Sequence, residues 1–173
     1  MLNTKSSVIN HKEYAAKAQK FLSRAEDIGA RIDGRKVRYS SIDVRPLQKF
    51  PATYPSHVEL QTKQEIKLTF LAAEHFRIAG EYHSSAKAYA QAAALAAEAQ
   101  KNPSLAAELY TEAALVMEKV DSDFASTMTG KAISQHCDAS QYNNAARLEE
   151  RMASSHKKKN IFEASIDGYK RAA

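Results

Sequence analysis

Three successive segments of the chain repeat one arrangement of small and large apolar positions. They are HSSAKAYAQAAALAAEAQ (His83–Gln100), PSLAAELYTEAALVMEK (Pro103–Lys119) and DSDFASTMTGKAISQHC (Asp121–Cys137). Each sets an alanine, then a tyrosine or methionine three or four positions on, then alanine again: Ala86-Tyr89-Ala92, Ala106-Tyr110-Ala113 and Ala125-Met128-Ala132. At 3.6 residues per turn those positions share one helix face. The pattern returns with more deviation as Ala145-Arg147-Met152 and Ala164-Tyr169-Ala172. The leading alanines fall at 86, 106, 125, 145 and 164, about 20 residues apart, which is one helix plus one turn. Small residues let two helix axes approach, and the large one fills the groove between them. One such helix cannot bury its stripe alone, so the spacing predicts a stacked helical solenoid. The alternative is a single Ala-rich bundle without a repeat. The solenoid is favoured because the helix breakers recur in phase with the alanines.

The flanking segments extend the picture. Asn10, with Glu13 three positions on, predicts the start of a helix from His11 to about Ala30. Its stripe is Tyr14, Ala18, Phe21, Leu22, Ala25 and Ile28, and Gly29 and Gly34 are read as its end. A second long helix is predicted from Val58 to Ala79, closed by Gly80 as a left-handed cap. Asn102-Pro103 and Asp121 are start signals for the helices that follow. A helix is expected over about Asn144–Ser155, then a basic connection, His156 to Lys159, then a last helix opened by Asn160 and Glu163.

Between the first two long helices, residues 31–57 hold three of the chain's four prolines and no convincing helical pattern. Six bases (Arg31, Arg35, Lys36, Arg38, Arg45, Lys49) against two acids leave +4 of the chain's net +5 in this stretch. Tyr39 and Phe50 lie among the bases, so contact with an anionic membrane surface is expected through Arg35, Lys36, Arg38, Tyr39 and Phe50. An extension folded back over the first helices is an equal alternative. Nucleic acid is not expected as a partner, because one basic loop without an aromatic platform is weak support.

Composition narrows the function classes. One cysteine, Cys137, allows neither an internal disulfide nor a multi-cysteine zinc site. The six histidines are scattered, and His136-Cys137-Asp138 are adjacent residues that point in different directions on a helix. No glycine-rich phosphate loop, HExxH or GxSxG occurs, so neither a cofactor nor an enzymatic activity is expected. No apolar run has the length of a membrane span, and a cytoplasmic protein is expected.

From about Leu71 to Ala172 the chain resembles the soluble NSF attachment proteins (SNAPs), their alpha branch in particular. The likeness rests on LAAEHFRIAGEYHSSAKAYAQAAALAAEAQ, SLAAELYTEAALVMEKVDSDFASTMTGKAI and YNNAARLEERMASSHKKKNIFEASIDGYKRAA. Tetratricopeptide repeats share the alanine–aromatic rule, whereas EKVDSDFA followed by YNNAAR is more specific. The resemblance implies an all-α, TPR-like solenoid: a twisted sheet of antiparallel helix hairpins in one domain over residues 1–173, with 31–57 as an insertion and truncated before the family's C-terminal bundle. It implies an adaptor in vesicle trafficking, peripheral on membranes, that binds a syntaxin-like SNARE four-helix bundle with basic residues. It also implies attachment of an NSF-type ATPase if the C-terminal part is supplied. Position by position, Lys119 in MEKVD and Arg147 in NNAARLEE match family bases that face SNAREs, with Lys131 a weaker candidate. The paired phenylalanines of the family's membrane loop have no counterpart in 31–57. A generic repeat scaffold holding a peptide or helix in its groove is the alternative function.

Overall fold

Alanine favours the helix, and alanines on one stripe allow helices to pack closely. The structure, a computed structural model, is built on that combination. It describes the backbone of residues 10–40 and 57–172, and the side chains of residues 10–31, 59–158 and 160. The described residues form six helices and no strand: α1 (His11–Ser40), α2 (His57–Ile78), α3 (Tyr82–Glu98), α4 (Pro103–Met117), α5 (Ser122–Asp138) and α6 (Tyr142–Ala172). Each helix packs chiefly on its neighbours in the chain. Tyr14 meets His75 while Gly29 meets Glu65, so α1 and α2 run antiparallel. Residues of α2 and α4 line one groove, and Glu118, the residue after α4, pairs with Arg151 of α6.

The repeated stripe is the core. Ala86, Tyr89 and Ala92, then Ala106, Tyr110 and Ala113, then Ala125, Met128 and Ala132, are all buried, as is Ala145. Among the bulky positions, Tyr89 has partners besides its neighbours' methyl groups. Tyr89 donates its hydroxyl to Glu74 of α2, and its ring stands edge-on to Phe70 with centroids 5.8 Å apart. One turn earlier on the same face of α3, Ser85 ties it to α2, donating to the Ala73 carbonyl at 2.8 Å.

The turns follow the expected stop and start chemistry. Gly80 takes φ +78°, and the N–H of Glu81 bonds back to Phe76 at 2.9 Å. The Asn102 side chain accepts from the N–H of Leu105, with Pro103 at the first helical position. Asp121 accepts from the N–H groups of Asp123 and Phe124. Asn10 accepts from the N–H of Glu13 at 3.3 Å. Two turns place ordinary residues in the left-handed region, Lys101 at φ 54° and Ser140 at φ 58°.

Two boundaries differ from the sequence reading. The first helix does not stop near Ala30 but runs to Ser40, through Gly29 and Gly34. Gly29 sits where α1 approaches α2: a Cβ there would lie 2.7 Å from the Glu65 carboxylate. It marks a close helix crossing, which tertiary packing can place inside a helix despite low propensity. The expected connection at His156–Lys159 is helical, and α6 is one helix of 31 residues. Lysine is a good helix former, and no proline or glycine interrupts 152–163. Asn160 therefore continues a helix already under way, which His156 steadies by its contact with Ser126 of α5 at 3.3 Å.

Candidate functional site

The loop between α4 and α5 is fixed at both ends. The N–H groups of Val120 and Asp121 both bond to the Met117 carbonyl, at 2.9 and 2.8 Å, and Asp121 then caps α5. Lys119 is carried on this turn, exposed, beside the half-exposed Val120. Next to it, Glu118 accepts from Arg151 of α6 at 2.5 Å. Both side chains of that pair are nearly half exposed. Such a pair adds little stability, and α6 is held chiefly by its packing on α5.

Arg147 is one helical turn before Arg151, about 6 Å along the axis. It projects from the stretch of α6 anchored by buried Ala145 and half-buried Leu148, and is itself exposed. The Glu118–Arg151 pair links the residue before Lys119 to the helical turn after Arg147. Arg151 is spent inside the protein, whereas Lys119 and Arg147 make no ion pair among the described residues. Sequence reasoning picked out the two free bases and missed Arg151. Its partner is 33 residues away, so no local spacing announces the pair.

Lys131 belongs to a different setting. Its ammonium lies 5.5 Å from the centroid of the Tyr110 ring, a cation–π contact across the α4–α5 seam. Burial, with the nearby Glu98 carboxylate, raises the pKa of that tyrosine above its ordinary value. No interaction among the described residues links Lys131 to the other two bases. Of the membrane candidates, Arg35, Lys36, Arg38 and Tyr39 fall on the last turns of α1, with side chains outside the described residues, and Phe50 lies outside them altogether.

The remaining polar chemistry is structural. His136 is buried and hydrogen-bonds through Nδ1 to the Gln141 amide oxygen at 2.7 Å, while Cys137 and Asp138 are exposed. The Gln141 amide nitrogen donates onward to Ser104 at 2.8 Å, so α5, its exit turn and α4 are bridged. The cleft between α4, α5 and α6, lined in part by Ser126 and His156, holds only about 50 Å³. No described helix is long and apolar enough to cross a membrane.

The comparison with protein families agrees with the helical fold. The family model "Soluble NSF attachment protein, SNAP" matches residues 61–173, close to two thirds of the chain, from α2 to the C-terminal residue. No curated protein and no solved structure matches. The chain belongs to the soluble NSF attachment protein family, a family of helical, non-enzymatic adaptors.

Proposed function

We propose that this chain is an adaptor of vesicle trafficking that binds a syntaxin-like SNARE four-helix bundle and serves to attach an NSF-type ATPase to it. The observation that carries the reading is a pair of exposed bases without an ion pair among the described residues, Lys119 on the α4–α5 turn and Arg147 on α6, whose neighbours Glu118 and Arg151 are joined by an ion pair. Exposed bases carried on a capped turn and a helix suit the acidic side of a long helical bundle. Charges of this kind steer encounter and set orientation. Lys131 contributes less, because its ammonium is already seated on Tyr110. An anionic membrane surface is the second partner, met through Arg35, Lys36, Arg38, Tyr39 and Phe50. The chain is then peripheral to membranes on the cytoplasmic side.

The test is capture of a preassembled SNARE bundle by the chain and by a Lys119→Glu/Arg147→Glu variant. Reversal of two charges is expected to lower affinity by about 1–2 kcal/mol, roughly tenfold. Equal capture by both proteins, with helical content unchanged, would defeat the assignment.

A further inference from the structure

The groove between α2 and α4 is larger than the cleft beside Arg151 and differs from it in character. It has a volume of about 870 Å³. Its floor is apolar, from Ile66 and Phe70 on α2 and Leu105 and Leu109 on α4. Phe70 remains 37% exposed there, an unusual position for a large ring. The walls carry opposite charge. On the α2 side stand Lys63 and Lys67, and on the α4 side Glu108 and Glu112. Lys63 pairs with Glu59 at 3.2 Å. Glu74, at the end of the basic wall, is held by Tyr89 and Arg77. Lys67, Glu108 and Glu112 have no partner of their own within the described residues.

We infer that this groove docks one amphipathic helix of a partner protein. Its apolar face lies on Phe70, Leu105 and Leu109, an acidic flank meets Lys63 and Lys67, and a basic flank meets Glu108 and Glu112. Three features select this occupant. The walls are helices whose backbone groups are already bonded, so an extended segment would find no partners for its own N–H and C=O groups, whereas a helix brings its own. The wall from Lys63 to Glu74 runs about 16 Å, three turns of helix. On each wall the charges are four residues apart, the spacing at which a docked helix presents its own flanking residues. The opposed walls also fix the direction in which the helix lies.

This inference is independent of the bases Lys119 and Arg147, and the experiment keeps the two apart. Three fluorescein-labelled peptides of about 16 residues share one leucine stripe. One has a glutamate flank and a lysine flank, one has two glutamate flanks, and one has two lysine flanks. Fluorescence anisotropy is read with the wild-type chain, a Glu108→Lys/Glu112→Lys variant, a Lys67→Glu variant and the Lys119→Glu/Arg147→Glu variant. The wild type is expected to bind the mixed peptide about tenfold more tightly than either uniform one. Glu108→Lys/Glu112→Lys shifts the preference to the all-acidic peptide, and Lys67→Glu shifts it toward the all-basic one. The Lys119→Glu/Arg147→Glu variant keeps the wild-type preference. All substituted positions are exposed, and circular dichroism checks that each variant is folded. Equal binding of the three peptides, or none, overturns the inference. So does sedimentation showing a dimer that the mixed peptide dissociates, because the groove's occupant is then a second copy of this chain.

Discussion

Replacing Tyr89 by phenylalanine removes one hydroxyl and keeps the ring that fills the α2–α3 seam. The hydroxyl donates to Glu74, which also accepts from Arg77 at 2.7 Å. Burial alone pushes the Glu74 carboxyl up, but the bonds from Tyr89 and Arg77 outweigh it and hold the group below the usual carboxylate range. Burial, reinforced by the Glu74 carboxylate, pushes the Tyr89 hydroxyl well above its ordinary value. A hydrogen bond to a charged acceptor is worth about 1.5–3 kcal/mol. Glu74 keeps Arg77 and is 28% exposed, so the lower part of that range applies, about 1.5–2 kcal/mol. In a chain of this length that lowers the melting temperature by about 3–6 °C.

The pH dependence carries the sharper test. A depressed folded-state carboxyl contributes stability above its unfolded pKa, near 4.5, and loses it as pH falls through the lower folded value. A raised tyrosine contributes fully below its unfolded pKa, near 10, and loses its contribution as pH rises through the folded value. The stability difference between wild type and Tyr89→Phe, from urea unfolding, should therefore be flat from about pH 6 to 9. It should shrink on the acid side as Glu74 protonates and again as pH climbs beyond about 10. A difference near zero at neutral pH, or one that stays flat at both extremes, would refute this reasoning.

Other predictions concern the turns and helix surfaces. Ser140→Gly relieves a left-handed serine at φ 58° and should raise stability by about 1 kcal/mol, read as a higher urea midpoint with unchanged slope. Gly130 lies inside α5 with open space where a Cβ would go. Gly130→Ala should therefore add about 0.5–1 kcal/mol, whereas Gly80→Ala, at φ +78°, should cost about 1–2 kcal/mol. Thermal melts of the two proteins should move in opposite directions. Gln141→Ala strands buried His136 and the Ser104 hydroxyl; a loss of about 1–3 kcal/mol is expected, and an unchanged melt would show that the bridge carries no stability.

The repeat was legible because alanine-aromatic-alanine spacing reports packing directly: a buried stripe must be small where axes cross and large where grooves need filling. The caps were legible for a similar local reason, since Asn102, Asp121 and Gly80 each act within a few residues. What sequence reading missed was set by contacts distant in the chain. Gly29 looked like a helix end, yet it lies inside α1 where that helix passes the Glu65 carboxylate of α2. Ser140 and Lys101 accept left-handed backbone without a glycine to announce it. Arg151 and Glu118 are ordinary surface charges until the solenoid brings α6 beside α4. Sequence reasoning grouped Lys131 with Lys119 and Arg147, and its seat on Tyr110 could be known only once α5 lay against α4.

The central proposal is that Lys119 and Arg147 meet an acidic SNARE bundle. The measurement is the affinity of the purified chain for an assembled bundle at about 50 and 200 mM salt, with the Lys119→Glu/Arg147→Glu variant alongside. The account predicts wild-type binding that weakens as salt screens the contact, and a variant that binds poorly at low salt. Binding that is indifferent to both salt and charge reversal, or no binding by a demonstrably folded chain, would contradict it.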